Sequence, residues 1–85
     1  MMSIGYFTEI FLLTQSTCRG YDTYDSCVVA AKDCQSARLI RPSGMSHSFI
    51  SHDWPTEVDD ITVELIGAAL PNTKEGMILA SFNAG

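Results

Sequence analysis

The stretch from Ser26 to Ile40, SCVVAAKDCQSARLI, decides the fold. Its first part, CVVAA (27–31), is a short apolar run with β-branched residues between polar neighbours, a pattern typical of a buried strand. Asp33 follows at the position of a helix N-cap, where its carboxylate can accept from the unpaired amides of the first helical turn. Beyond it, apolar residues fall mostly on one helical face, and the Arg-Pro pair after Ile40 ends the helix. The stretch therefore predicts a buried strand and a short helix that is stable only when docked on a sheet.

Three further strands are predicted at 6–15, 59–67 and 77–82. The first is apolar on both faces, which is typical of a central strand covered on both sides or of a subunit interface. A homodimer is therefore expected. Since consecutive strands usually pair, the order β-β-α-β-β predicts two hairpins joined by the helix. The expected fold class is α+β, a mainly antiparallel four-stranded sheet with one short helix on one face.

The chain of 85 residues is expected to form a single small domain, 1–85. Its three cysteines are an odd number without metal-ligand spacing, which argues against a secreted disulfide framework and a zinc site. Cys27 and Cys34 fall at predicted core positions, whereas Cys18 lies in a polar loop. This use of cysteine favours the reducing cytoplasm.

The charge balance limits the class of partner. Ten acidic residues against five basic ones give a net charge of −5, which disfavours binding to nucleic acid or to an anionic membrane. The apolar amino terminus carries Glu9 and no basic flank, so it does not read as a targeting segment. A protein with a basic surface is the partner that this charge favours.

The polar stretch 16–25, STCRGYDTYD, has two interpretations. It is a long hairpin loop whose aspartates form local turns, or Tyr21 and Tyr24 form an exposed aromatic recognition edge. The hairpin loop is the favoured interpretation.

The stretch 42–57 is predicted to be a long loop whose Phe49, Ile50 and Trp54 close one end of the core. His47, His52 and Asp53 match no metal-ligand spacing, so neither a metal nor a cofactor is predicted. No GxSxG, P-loop, GxGxxG or HExxH motif occurs, and the sequence gives no reason to expect an enzyme.

The clearest local feature is an acidic segment without a basic residue, next to Trp54. Its five carboxylates belong to Asp53, Glu57, Asp59, Asp60 and Glu64. One interpretation is a solvated surface that keeps the domain soluble and discourages edge pairing. The other is a negatively charged binding face with Trp54 as its apolar anchor, directed at lysines and arginines that otherwise hold nucleic acid.

Two stretches carry a resemblance, YDTYDSCVVAAKDCQSARLIRPSG (21–44) and the closing GMILASFNAG (76–85). Together they resemble small proteins encoded by phages and prophages, a class that includes anti-CRISPR proteins. The resemblance covers most of the chain but brings no residue-level functional motif. It implies a protein in the bacterial cytoplasm that binds a host protein, such as a subunit of a CRISPR-Cas effector.

The sequence therefore leaves three alternative functions. The first is a non-enzymatic inhibitor that occupies a basic nucleic-acid-binding surface of a bacterial defence complex. The second is a small-molecule binder or sponge for a nucleotide signal, with Tyr21, Tyr24 and Trp54 lining a pocket between subunits. The third is a structural accessory subunit of a phage assembly, which docks through the apolar face of the first strand.

Overall fold

The computed structural model describes residues 8–20, 22–43 and 53–83. In this part of the chain, the elements in order are β1 (Glu9–Thr14), β2 (Thr23–Ala31), α1 (Cys34–Arg38), the 3-10 helix Val58–Asp60, β3 (Thr62–Ala68) and β4 (Gly76–Asn83). The strands form one antiparallel sheet with a short helix on one face. The predicted α+β class and the order β-β-α-β-β are confirmed.

The strand order across the sheet is β3-β1-β2-β4, so the first two strands are central and the last two form the edges. The predicted hairpin between β1 and β2 exists, with Phe11 opposite Val29 and Leu13 opposite Cys27. The predicted second hairpin is wrong, because β3 pairs with β1 and β4 pairs with β2. The two central strands are apolar on both faces, which explains why they take the inner positions.

The connection 69–75 carries the chain from one edge of the sheet to the other. Three strand spacings amount to about 14 Å, which seven residues span easily. Hydrogen bonds tie this connection to the ends of the central strands: Ala69 N donates to Thr8 O (3.1 Å), and Thr8 Oγ1 donates to Thr73 O (3.3 Å). The amide of Lys32 donates to the carboxylate of Glu75 (2.8 Å). These contacts fix the crossing that the preference for neighbouring pairs did not predict.

The core lies between α1 and the face of the sheet to which the odd-numbered residues of β1 and β2 point. Its fully or nearly fully buried members come from the central strands, the helix and the approach to β3: Phe11, Leu13, Cys27, Val29, Ala31, Ala37, Trp54 and Ile61. At about 25 cal/mol per Å² of apolar surface, burying these side chains is the main stabilising contribution to so small a domain.

Helix α1 begins as predicted and ends earlier. Asp33 is the N-cap, with Oδ1 accepting from Ser36 N at 2.7 Å. The helix has only five residues, and Ala37 is its one buried side chain. Cys34 is exposed, so the prediction that it joins the core is wrong. Leu39, just after the helix, is 44% exposed. So short a helix places little more than one side chain against the sheet, and alanine allows a close approach.

The N-cap makes helix stability depend on pH. Hydrogen bonding to Ser36 holds the pKa of the Asp33 carboxyl below its ordinary value. The ionised Asp33 carboxylate is therefore more stable in the folded protein than in the unfolded chain. Its contribution to stability is fully present above the pKa of the unfolded state, and it is lost as the pH falls through the pKa of the folded state. We therefore expect Asp33→Ala to lower Tm more at pH 7 than near pH 2, as measured by circular dichroism. Asp33→Asn keeps the capping oxygen without titrating and is the control. A Tm difference between Asp33→Ala and the wild type that is equal at both pH values would contradict the prediction.

Candidate functional site

Three of the predicted acidic residues come together on one exposed turn. Glu57 is the N-cap of the 3-10 helix, which contains Asp59 and Asp60, and all three side chains are exposed. The turn is closed by two backbone hydrogen bonds, from Asp60 N to Glu57 O (3.0 Å) and from Ile61 N to Val58 O (3.1 Å). The side chain of Ile61 is buried in the core and anchors the turn. We call these three carboxylate-bearing residues the acidic turn.

Arg38 holds the acidic turn against α1. Its Nη1 donates to Val58 O at 3.0 Å and to Ile61 O at 2.6 Å. Hydrogen bonds from an ionised donor are stronger than neutral ones, and a planar guanidinium fixes the direction of its donors. The only basic side chain of the helix therefore positions the turn through backbone carbonyls and leaves the carboxylates facing solvent.

A groove lies between α1 and the 3-10 helix. Its volume is about 450 Å³, and it is lined by Gln35, Arg38, Leu39, Val58 and Asp59. Its apolar lining residues are Leu39 and Val58, and Asp59 belongs both to this lining and to the acidic turn. We call it the helix groove.

The other two predicted carboxylates lie elsewhere. Glu64 is on β3 opposite Leu12. It alternates with Val63, which packs against the core, so Glu64 belongs to the other face of the sheet. Asp53 is half-buried, and its carbonyl accepts from Tyr24 N at 3.0 Å near the start of β2. The acidic segment therefore does not form one patch, and only its middle part builds the acidic turn.

Trp54 cannot serve as the apolar anchor of a binding face. Its side chain is 0% exposed and belongs to the core, as the structural alternative in the sequence analysis expected. Burying the large apolar surface of the indole is favourable, even though its neighbours in the sequence are acidic and exposed to solvent. The prediction that it contacts a partner or lines a pocket between subunits is therefore wrong.

Tyr24 lies in β2 rather than in the predicted loop, because the strand begins at Thr23. It is half-buried and pairs across the strands with Phe82, with ring centroids 4.8 Å apart and tilted by 53°. This geometry is typical of a stabilising aromatic pair. Tyr21, the other half of the predicted recognition edge, lies outside the described residues.

The three cysteines occupy different environments. Cys27 is buried, as predicted, and burial raises the pKa of its thiol to about 12. Cys18 is half-buried, and burial together with the nearby Asp53 carboxylate raises its pKa as well. Both shifts reduce the thiolate fraction at neutral pH and with it the nucleophilicity of these thiols.

Alkylation should distinguish the three thiols. With iodoacetamide at neutral pH, we expect exposed Cys34 to be modified first, Cys18 more slowly, and Cys27 only after unfolding, since accessibility and thiolate fraction control the rate. Peptide mass spectrometry over time measures the order, and labelling in urea is the control in which the three rates converge. Modification of Cys27 in the folded protein at the rate of Cys34 would contradict this assignment.

Among residues 8–20, 22–43 and 53–83, no group of three His, Cys, Asp or Glu side chains is placed to hold a metal ion. The candidate residues His47 and His52 lie outside these ranges.

No helix in the same ranges is long and apolar enough to cross a membrane.

No protein-family model matches this chain, and neither a curated protein nor a solved structure does. The resemblance to phage-encoded inhibitors therefore stays a prediction. What the site can bind has to follow from its own geometry and charge.

Proposed function

We propose that this chain is a non-enzymatic binding protein that docks on a basic protein surface through the acidic turn and the helix groove. The observation that carries the proposal is that three exposed carboxylates share one turn, and that Asp59 of this turn also lines a groove of about 450 Å³ together with Leu39 and Val58. The carboxylates attract lysine and arginine side chains, and the apolar lining of the groove suits an aliphatic side chain of the same partner.

The negative charge of the chain supports a protein that competes with nucleic acid for a basic surface. A surface that binds phosphates is rich in lysine and arginine, and a protein with a net charge of −5 is attracted to the same groups. Occupying that surface blocks nucleic acid without any contact between this chain and nucleic acid. The resemblance in sequence points to a bacterial defence complex of the CRISPR-Cas type as the host target, and to the bacterial cytoplasm as the place of action.

Neutralising the acidic turn tests the proposal. The variant Glu57→Gln/Asp59→Asn/Asp60→Asn removes three negative charges and moves the net charge from −5 to −2. We expect it to bind the basic partner at least about tenfold more weakly, because the loss is concentrated where the positive groups dock. Biolayer interferometry against the isolated partner, at low and at high salt, measures the change.

The chain offers a matched control in Asp22→Asn/Asp25→Asn/Glu75→Gln, which removes the same charge from other places. Asn tolerates the positive φ of 63° at position 22, and Gln keeps a side-chain oxygen for the Lys32 amide. We expect this control to bind nearly as well as the wild type. Equal weakening by both variants would show an effect of net charge alone and would contradict the assignment of the site.

A further inference from the structure

The edge strand β4 lacks two of the usual protections of a sheet edge. Within the described residues it pairs only with β2, so one side of its backbone has no strand partner. Its sequence GMILASFN contains neither a charged residue nor a proline. Four of its large apolar side chains are 43–67% exposed: Met77, Ile78, Leu79 and Phe82.

The backbone of β4 is regular enough to accept another strand. Ile78 is the extra residue of a bulge, since Val28 pairs with Leu79 and Val29 pairs with Met77. The second irregularity leaves Asp25 unmatched on β2 and does not interrupt β4. A regular segment from Leu79 to Phe82 therefore remains, and in the described part of the chain no strand pairs with its outer side.

The opposite edge differs in charge. Strand β3 carries exposed Glu64, and the acidic turn directly precedes it, so this side of the sheet repels another copy of an acidic chain. Strand β4 has no charge of its own to repel a copy. A strand without charge also offers nothing to the basic partner that the acidic turn attracts, and the two surfaces therefore fit different occupants.

We propose that β4 pairs antiparallel with β4 of a second copy, which joins two four-stranded sheets into one of eight strands. Antiparallel pairing of a strand with itself has two-fold symmetry and closes at the dimer. The new backbone hydrogen bonds and the contacts between neighbouring apolar side chains of the two strands stabilise the pair. Strand β1, the element from which the sequence analysis predicted a dimer, has a strand neighbour on each side and cannot form this ladder.

This arrangement leaves both acidic turns exposed, because the 3-10 helix leads into β3 at the far edge of each sheet. The dimer presents two copies of the site to an extended basic surface. Simultaneous engagement raises the overall affinity without any new contact.

Analytical ultracentrifugation of the full chain under reducing conditions, from about 1 to about 100 µM, tests the proposal. We expect a species of twice the 9.3 kDa monomer mass. The variant Ile78→Lys/Leu79→Lys should raise the dimer dissociation constant at least about tenfold, because it places like charges along the pairing strand. The matched control Leu65→Lys/Ile66→Lys changes two adjacent side chains of similar exposure on β3 and should remain dimeric.

Circular dichroism confirms that each variant is folded, and hydrogen exchange gives a second readout. Amide protection in β4 should rise with protein concentration in the wild type and in the β3 variant, whereas it should not rise in the β4 variant. A wild-type monomer at the highest concentration would overturn the proposal, as would dissociation caused by the β3 variant. Neutralising the acidic turn should leave the dimer intact. The proposal of self-association can therefore be contradicted without contradicting the proposed function, and the reverse also holds.

Discussion

Replacing Trp54 with alanine is expected to lower the free energy of unfolding by about 3–5 kcal/mol, the usual cost of truncating a large aromatic side chain in a core. Trp54 is 0% exposed and packs in the cluster with Leu13 and Val29. A domain of 85 residues has a total stability of only about 4–13 kcal/mol. The alanine variant should therefore unfold at a markedly lower urea concentration than the wild type, as measured by urea titration with circular dichroism.

Trp54→Phe is the control for this prediction. The indole Nε1 has no hydrogen-bond partner among the described residues, so phenylalanine loses part of the packed volume and no polar contact. We expect its cost to be clearly smaller than that of alanine. An alanine variant as stable as the wild type would show that Trp54 does not close the core.

Replacing Arg38 with methionine is expected to lower the free energy of unfolding by about 1–3 kcal/mol, because two part-buried carbonyl acceptors lose an ionised donor. Arg38 Nη1 bonds to Val58 O and Ile61 O, and methionine keeps only the aliphatic stem. The acidic turn then loses its attachment to α1 while all its carboxylates remain. Affinity for the basic partner should fall as well, even in protein that is fully folded at the assay temperature.

Lys32→Met is the matched control, since it removes the same charge from an exposed position next to the helix. Its backbone amide, which bonds to Glu75, is unaffected. Urea titration and interferometry on both variants separate the contact from the charge. Equal effects of the two substitutions on binding would show that Arg38 acts only through its charge.

The parts of the fold that the sequence predicts correctly depend on local signals. The apolar run of β2, the capping position of Asp33 and the first hairpin each involve residues close in the chain. The strand order depends instead on which distant strands compete for the central positions. The apolar residues on both faces of β1 favour a central position, but they do not determine that the distant strand β3 is the one that pairs with it.

The candidate site could be predicted only in part. The acidic residues are visible in the sequence, but the separation of Glu64 from the acidic turn depends on strand alternation that begins only after the 3-10 helix. The apolar periodicity after Asp33 predicts one buried helical face, but α1 ends at Arg38 and Leu39 is 44% exposed. The early end of the helix exposes Leu39 in the helix groove, and the contacts of Arg38 that cause this geometry join residues twenty positions apart.

The most direct test of the proposed function is a pull-down with the wild type, the neutralised acidic turn and its charge-matched control, from nuclease-treated bacterial lysate. The captured protein is then purified and tested for binding to a labelled oligonucleotide. We predict that the wild type and the control capture the same nucleic-acid-handling protein at low salt and displace its oligonucleotide, whereas the neutralised variant does neither. Capture and displacement by the neutralised variant at the wild-type level would contradict the account.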